Sequence, residues 1–558
     1  MEVVKLNQNE VISLPHLPKE VLVGARKTKL CAYSVALEGW RRGLTLKWYT
    51  KDSDKFDHMI TFGVNPPGRL FSLSSKDRTH YFFRTRGDKV TKQAVEIGSD
   101  KDETKIWLSR AKVPTPMGKR FTEESVDEEI INFSNTIDFP LVLKPTNGSL
   151  GNGVVTNIKD VKELKNAIKY VREELGYPDV ILERFATGEE YRVYVIEDKV
   201  VAAYNRIPAN VVGDGVHTIR ELISLKNRQR KKNARLHDCL ITIDKETTEF
   251  LSKSGYTLKS IPSKGTFVLL QEKTNVSAGG DPIDATDQLR DEIKQIAIDS
   301  VKAIPGLYHG GVDIIWDKTK PIERAAVVIE LNPTAQIGGI LFPVEGQARD
   351  IPSAIIDYYF PETVNLPKSQ AYFDLTNVLE PLQNRSALEV ELPKAPIGEL
   401  YSKKLILMGD VTNLSFHRQI KREAINRGLY GHIDNLFEGQ IEVVVSGTNE
   451  KVLAEFIDVI SNKTNHANIT EVIEQDWNLA VKIGFNVSKE VNVRNLKSVE
   501  TNLKAIEKEL DRLKKVKRKL DYEKVKLQQS RSWRYTSIIR KIGTKVKGKR
   551  RAVPEYTV

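Results

Sequence analysis

The chain has 558 residues, with 86 Lys+Arg against 74 Asp+Glu, two cysteines and 40% hydrophobic residues. That length implies roughly three or four domains, while Cys31 and Cys239 are too few for a disulfide framework. The formal net charge of +12 is mostly local: residues 531–558 hold nine Lys/Arg and one Glu, which leaves +4 for the rest, so no nucleic-acid partner is expected.

No apolar run reaches the roughly 18 residues of a membrane span. The start MEVVKLNQNEV has no charged leader followed by an apolar stretch, so a cytoplasmic location is the expectation. From residue 1 to 95, short apolar runs (VLVGA, LCAYSVAL, HMITFGV) and a Pro67-Gly68 turn predict a small α/β domain. From 96 to 365, Val- and Ile-rich strands (FPLVLKP, DVILERF, YRVYVIEDKVVAAYNR, GGVDIIW, AAVVIELN) alternate with helical patterns such as VKELKNAIKYVREEL. That predicts an α+β or α/β enzyme domain.

Prolines at 367, 381, 393 and 396 mark 366–400 as a linker, and 401–485 read as another compact α/β domain. Between 490 and 530, Leu496, Val499, Leu503, Ile506, Leu510, Leu513, Leu520 and Leu527 follow three-four spacing, interrupted by Lys517 and Lys524. This predicts a coiled-coil helix and a homo-oligomer. The basic tail 531–558 mixes aromatic, aliphatic and cationic residues, suited to an anionic membrane surface or an envelope-assembly partner, or else to a solvated tail.

Chemistry concentrates in the second domain. Lys144 ends a strand and is followed by PTNGSLGNGV, where Gly148, Ser149, Gly151 and Gly153 would let backbone N–H groups close on phosphate oxygens. This is not a Walker loop, because no Gly-Lys-Ser/Thr follows. Downstream, Glu330 and Asn332 are two apart and share a face on a strand, and Asp313 sits on the preceding strand-like run. Three hard oxygen ligands would then converge, as Mg²⁺ bound beside substrate phosphates requires.

The ordered motifs DKDETK, VPTP, VLKPTNGSLGNGV, ILERFATGEEYRVYVI, NRIPANVVGDGVHTIREL, TNVSAGGDPIDATD, GGVDIIW and VIELNPTAQIGG resemble the ATP-grasp ligases. Within that family they are most similar to the ligase part of bifunctional glutathione synthetases and the ATP-grasp part of cyanophycin synthetases. The resemblance covers about residues 100–362. It implies that Lys105 and Lys144 reach ATP phosphates, that Glu183 and Glu190 lie on the nucleotide side, and that Asp313, Glu330 and Asn332 hold magnesium. Two Mg²⁺ ions, with Mn²⁺ able to substitute, are implied with ATP.

Arg192 and Arg206 would be catalytic, with Asn210 and His217 on the acyl-substrate side; for His217 a structural hydrogen-bonded role is the alternative. Where the family has an arginine before its Asn-x-Ser stretch, this chain has Gln271. The implied reaction joins a small-molecule or polymer-borne carboxylate to an amine through an acyl phosphate. Residues 409–449 resemble acylphosphatases, with Asn435 at the asparagine position and His417 where the arginine belongs. A ferredoxin-like fold is implied, as is an alternative function as an acyl-phosphate hydrolase; a third reading is a non-catalytic ATP-binding scaffold. The fragment SRSWRYTSIIRK is similar to segments of surface-polysaccharide glycosyltransferases and points toward the inner face of the membrane.

Overall fold

The computed structural model describes residues 11–22, 24–146, 153–437, 439–462, 467–487 and 510–522. The chain divides into two units, Met1–Asn486 and Val487–Val558. In the second unit, the described residues 510–522 form one helix that leaves Leu510, Leu513, Val516 and Leu520 exposed. The remaining heptad positions and the tail lie outside the described residues, as do Gly148, Ser149 and Gly151. No helix among the described residues is long and apolar enough to cross a membrane.

The first unit is a series of antiparallel sheets with helices against them. At the N-terminus, helix Thr28–Arg41 is buried along almost its whole length, between the sheet that contains strand Leu70–Ser74 and helix Ile351–Tyr359. A helix covered on all sides is apolar all round, which explains LCAYSVAL. The sheet is completed by residues far away in sequence. Segment 366–400, read from its prolines as a linker, carries helix Leu375–Gln383 and strand Glu389–Glu391, and that strand pairs with Thr45–Tyr49. Tyr33 and Trp40 also donate to the carbonyls of Phe373 and Pro393.

The next two sheets position the chemistry. A four-stranded sheet runs Gly118–Phe121, Val180–Arg184, Leu141–Pro145, Val155–Ile158 in spatial order. A five-stranded sheet runs Asp281–Asp284, Lys199–Ile207, Glu189–Ile196, His309–Trp316, Ala326–Asn332. Helix Asp291–Lys302 backs the second through Ile293, Ala297 and Val301, so one face is core and the other is free for polar groups. After residue 400, strands Asn468–Asp476, Tyr401–Asp410, Gln440–Gly447, Tyr430–Phe437 and Phe485–Val487 form a sheet, with helices Leu414–Asn426 and Glu450–Asn462 between its strands.

Candidate active site

On the four-stranded sheet, Glu183 is paired across the ladder with Gly118 on one side and Val142 on the other. Residues 142 and 144 share a face, which brings the Lys144 ammonium to 2.6 Å from Glu183. A Cβ at position 118 would sit 2.4 Å from both Glu183 Cγ and the Leu182 carbonyl, so only glycine lets the carboxylate lie here. The second cation comes from helix Lys101–Arg110. Asp100 starts this helix by accepting from the backbone N–H of Asp102 and Glu103, and Lys105 reaches Glu183 at 3.0 Å. Burial opposes charge on Glu183, but Lys144 and Lys105 outweigh it and hold the carboxyl below its usual range.

On the five-stranded sheet, Asp313 stands opposite Arg192 on one neighbour and Glu330 on the other, and Gly311 stands opposite Asn332. Arg192 grips Asp313 with Nε at 2.6 Å and Nη2 at 2.7 Å, and Arg206 Nη1 approaches it at 3.1 Å. Burial penalises the Asp313 charge, yet the two guanidinium groups hold its carboxyl low. Crowding by protein atoms and then the Asp313 carboxylate push the Glu330 carboxyl up, against the pull of Arg192, Lys101 and Arg206, although the residue is exposed to water, which weakens the push. Arg206 and Thr274 both donate to Glu190.

Lys101 joins the two sheets electrostatically. Burial pushes its ammonium down, Glu330 pulls it up, and Lys144 and Glu183 also act on it. Its Nζ lies 3.4 Å from the Thr146 carbonyl at the mouth of the glycine-rich segment. Sequence reasoning missed this residue. The available signal was its position in DKDETK four residues before Lys105, where one helical face carries both cations.

The remaining predicted positions lie in other local networks. Asn210 is buried, donates to Asp281 and accepts from Lys226, while Asp281 also binds Arg230 at 2.6 Å. His217 pairs with Asp214 at 2.6 Å just before the capping box that opens helix Ile219–Arg230. Gln271 donates to the carbonyls of Lys273 and Ala278, so the position expected to hold an arginine braces its own loop. Gly153 is described, with φ +73°.

In the last domain, His417 is buried and its Nε2 donates to the Val411 carbonyl at 3.1 Å. Asn435 is exposed on its strand.

Asp313, Glu330 and Asn332 offer two carboxylates and an amide oxygen from two neighbouring strands. The buried Asn332 Nδ2 has no hydrogen-bond partner among the described residues, so the structure provides no contact that fixes this amide. Such a hard oxygen set fits Mg²⁺.

Residues 98–214 match the family model of the RimK-like ATP-grasp domain, and residues 403–487 match that of acylphosphatase. The chain therefore joins an ATP-grasp domain to an acylphosphatase-like domain. It is 36% identical over 273 residues to a cyanophycin synthetase of Crocosphaera subtropica, covering 48% of this chain and 31% of that protein. It is 31% identical over 346 residues to the glutathione biosynthesis bifunctional protein of Clostridium perfringens, covering 61% of this chain and 42% of the relative. It thus spans well under half the length of each of these relatives. Among solved structures, a bifunctional glutathione synthetase from Pasteurella multocida is 28% identical, with a TM-score of 0.42, over 53% of this chain and 41% of that one.

Proposed function

We propose that the chain is an ATP-dependent carboxylate–amine ligase that works through an acyl phosphate. The observation that carries this reading is the meeting, at Lys101, of a lysine–carboxylate nucleotide sheet with the Asp313–Glu330 row. Lys105 and Lys144 would bind the ATP phosphates, releasing Glu183 from part of its present pairing. Asp313, Glu330 and Asn332 would hold Mg²⁺, which when bound neutralises charge on the phosphoryl group in flight. Arg192 and Arg206 fix Asp313 and present positive charge to the acyl phosphate as it forms. An amine then displaces phosphate from the acyl carbon to give the amide.

The substrates are proposed to be amino-acid-like or borne on an envelope polymer, and the tail to direct the enzyme to the inner membrane face. For the last domain we propose binding without turnover. His417 is committed to the Val411 carbonyl and offers no planar fork for a phosphate, unlike the arginine it replaces.

The test is ADP release with Mg²⁺ and ATP across pooled acids, with hydroxylamine present to trap the acyl phosphate. Hydroxamate should form with the wild type and fall by about a hundredfold or more in Glu330→Ala. ATP binding with no trapped product from any pool would move the reading to a scaffold. Acetyl phosphate should be hydrolysed no faster by the wild type than by Asn435→Ala; a rate that depends on Asn435 would restore the hydrolase reading.

A further inference from the structure

Among the described residues, the turn through Arg84, Thr85 and Arg86 carries buried positive charge that the ligase chemistry does not use. Arg84 is 6% exposed and Arg86 1%. Nε and Nη2 of Arg84, and Nε and Nη1 of Arg86, are buried without a hydrogen-bond partner. Of the rest, Arg86 donates to the Ile60 carbonyl and Arg84 lies beside the Cys31 thiol, and the two guanidinium groups share only the Phe83 ring, 5.9 Å from Arg84 and 5.4 Å from Arg86. A third cation, Arg235, acts on Arg84 and is held by Cys239 Sγ at 2.8 Å and Gln336 Oε1 at 3.0 Å. The ionisable groups acting on Arg84 and Arg86 are Cys31, Tyr359 and other arginines, and none is a carboxylate. Arg84 also holds φ at +61°, which a non-glycine residue seldom adopts.

A buried guanidinium with unused donors is costly until an anion meets it. The turn abuts the reaction row: Thr85 donates to the Ala335 carbonyl at 2.9 Å, and the Ala335 side chain occupies the space that a Cβ on Gly311 would need. Gly311 is two residues from Asp313 and pairs with Asn332. The reacting carboxylate must meet the γ-phosphate at Asp313 and Glu330, so a group held at the turn is a different part of the same substrate. A guanidinium fork matches a carboxylate, and partly exposed Arg235 marks the side from which it enters.

We propose that Arg84 and Arg86, with Arg235 at their rim, receive a second carboxylate of the acyl substrate, which makes that substrate a di- or polyacid. This rests on the ligase reading above.

The full chain would be melted with glutarate, L-glutamate, butyrate or inorganic phosphate, and the hydroxamate assay run on the same acids. A diacid should raise the wild-type midpoint where butyrate and phosphate do not. Arg84→Met and Arg86→Met should erase that shift while leaving the unliganded midpoint unchanged or higher, because each removes an unmatched buried charge. KM for the diacid should rise about tenfold with kcat changed less, and Mg-ATP affinity should stay within about twofold. Should the methionine variants not fold, Arg84→Lys keeps the charge, loses the fork, and must still weaken the diacid shift. Equal shifts from butyrate or phosphate, or variants that keep the diacid shift, would overturn the proposal. If the wild type traps no hydroxamate while an arginine-dependent diacid shift persists, the ligase reading fails and the anion subsite stands.

Discussion

Glu183 shows how strongly single charges are tied to this fold. It is buried between Lys105 and Lys144, and its carboxyl is held below the roughly 4.3 of an unfolded glutamate. Its stabilisation is therefore complete above that unfolded value and is lost as pH falls through the lower folded one. Thermal midpoints between neutral and acid pH should drop more steeply for the wild type than for Glu183→Gln. At neutral pH the variant should be less stable by on the order of 3 kcal/mol, since two cations lose their partner. A midpoint unaffected by the substitution would show that the pair contributes nothing. Gly118 is the neutral counterpart. In Gly118→Ala, overpacking against Glu183 and a backbone carbonyl should cost about 1–3 kcal/mol, measurable by denaturant unfolding.

At the scale of elements, the strands of the second domain are readable because VIELN and GGVDIIW are short Val- and Ile-rich runs, and the side-chain alternation of any strand fixes which positions share a face. The same alternation puts Glu330 and Asn332 on one side of their strand. What it does not carry is the neighbour across the ladder: Asp313 opposite Arg192 is a matter of register between strands about 120 residues apart. The helix from Lys101 makes the complementary point. Its start depends on Asp100, so Asp100→Ala should cost about 1 kcal/mol of stability and raise the ATP KM, because Lys101 and Lys105 ride on the first turns. An unchanged KM would mean that the lysines are positioned by their ion pairs and not by the cap. In the last domain, His417 stands out in the sequence as a departure from a motif, but its attachment to Val411 is not legible there, since burial of a histidine depends on what packs over it.

For the whole molecule, the N-terminal sheet and helix are completed from beyond residue 370. A chain ending at residue 366 would leave Tyr33 and Trp40 without their carbonyl partners and strand Thr45–Tyr49 without its edge neighbour. Such a chain should melt well below the full-length protein and expose apolar surface to a hydrophobic dye; equal melting would show that the closure is dispensable.

By itself the sequence determined the Val- and Ile-rich strands of the second domain, the glycine-rich segment, the shared face of Glu330 and Asn332, and the split of charge between body and tail. These follow from local periodicity and from backbone conformations that only certain residues tolerate. The tertiary structure decided that Asp313 is clamped by two arginines, that Lys101 faces both sheets, that a proline-rich segment closes a distant sheet, and that Arg84 and Arg86 are buried without a counter-charge. Each depends on contacts between residues far apart in the chain, where register and burial set the electrostatics and no local pattern records them.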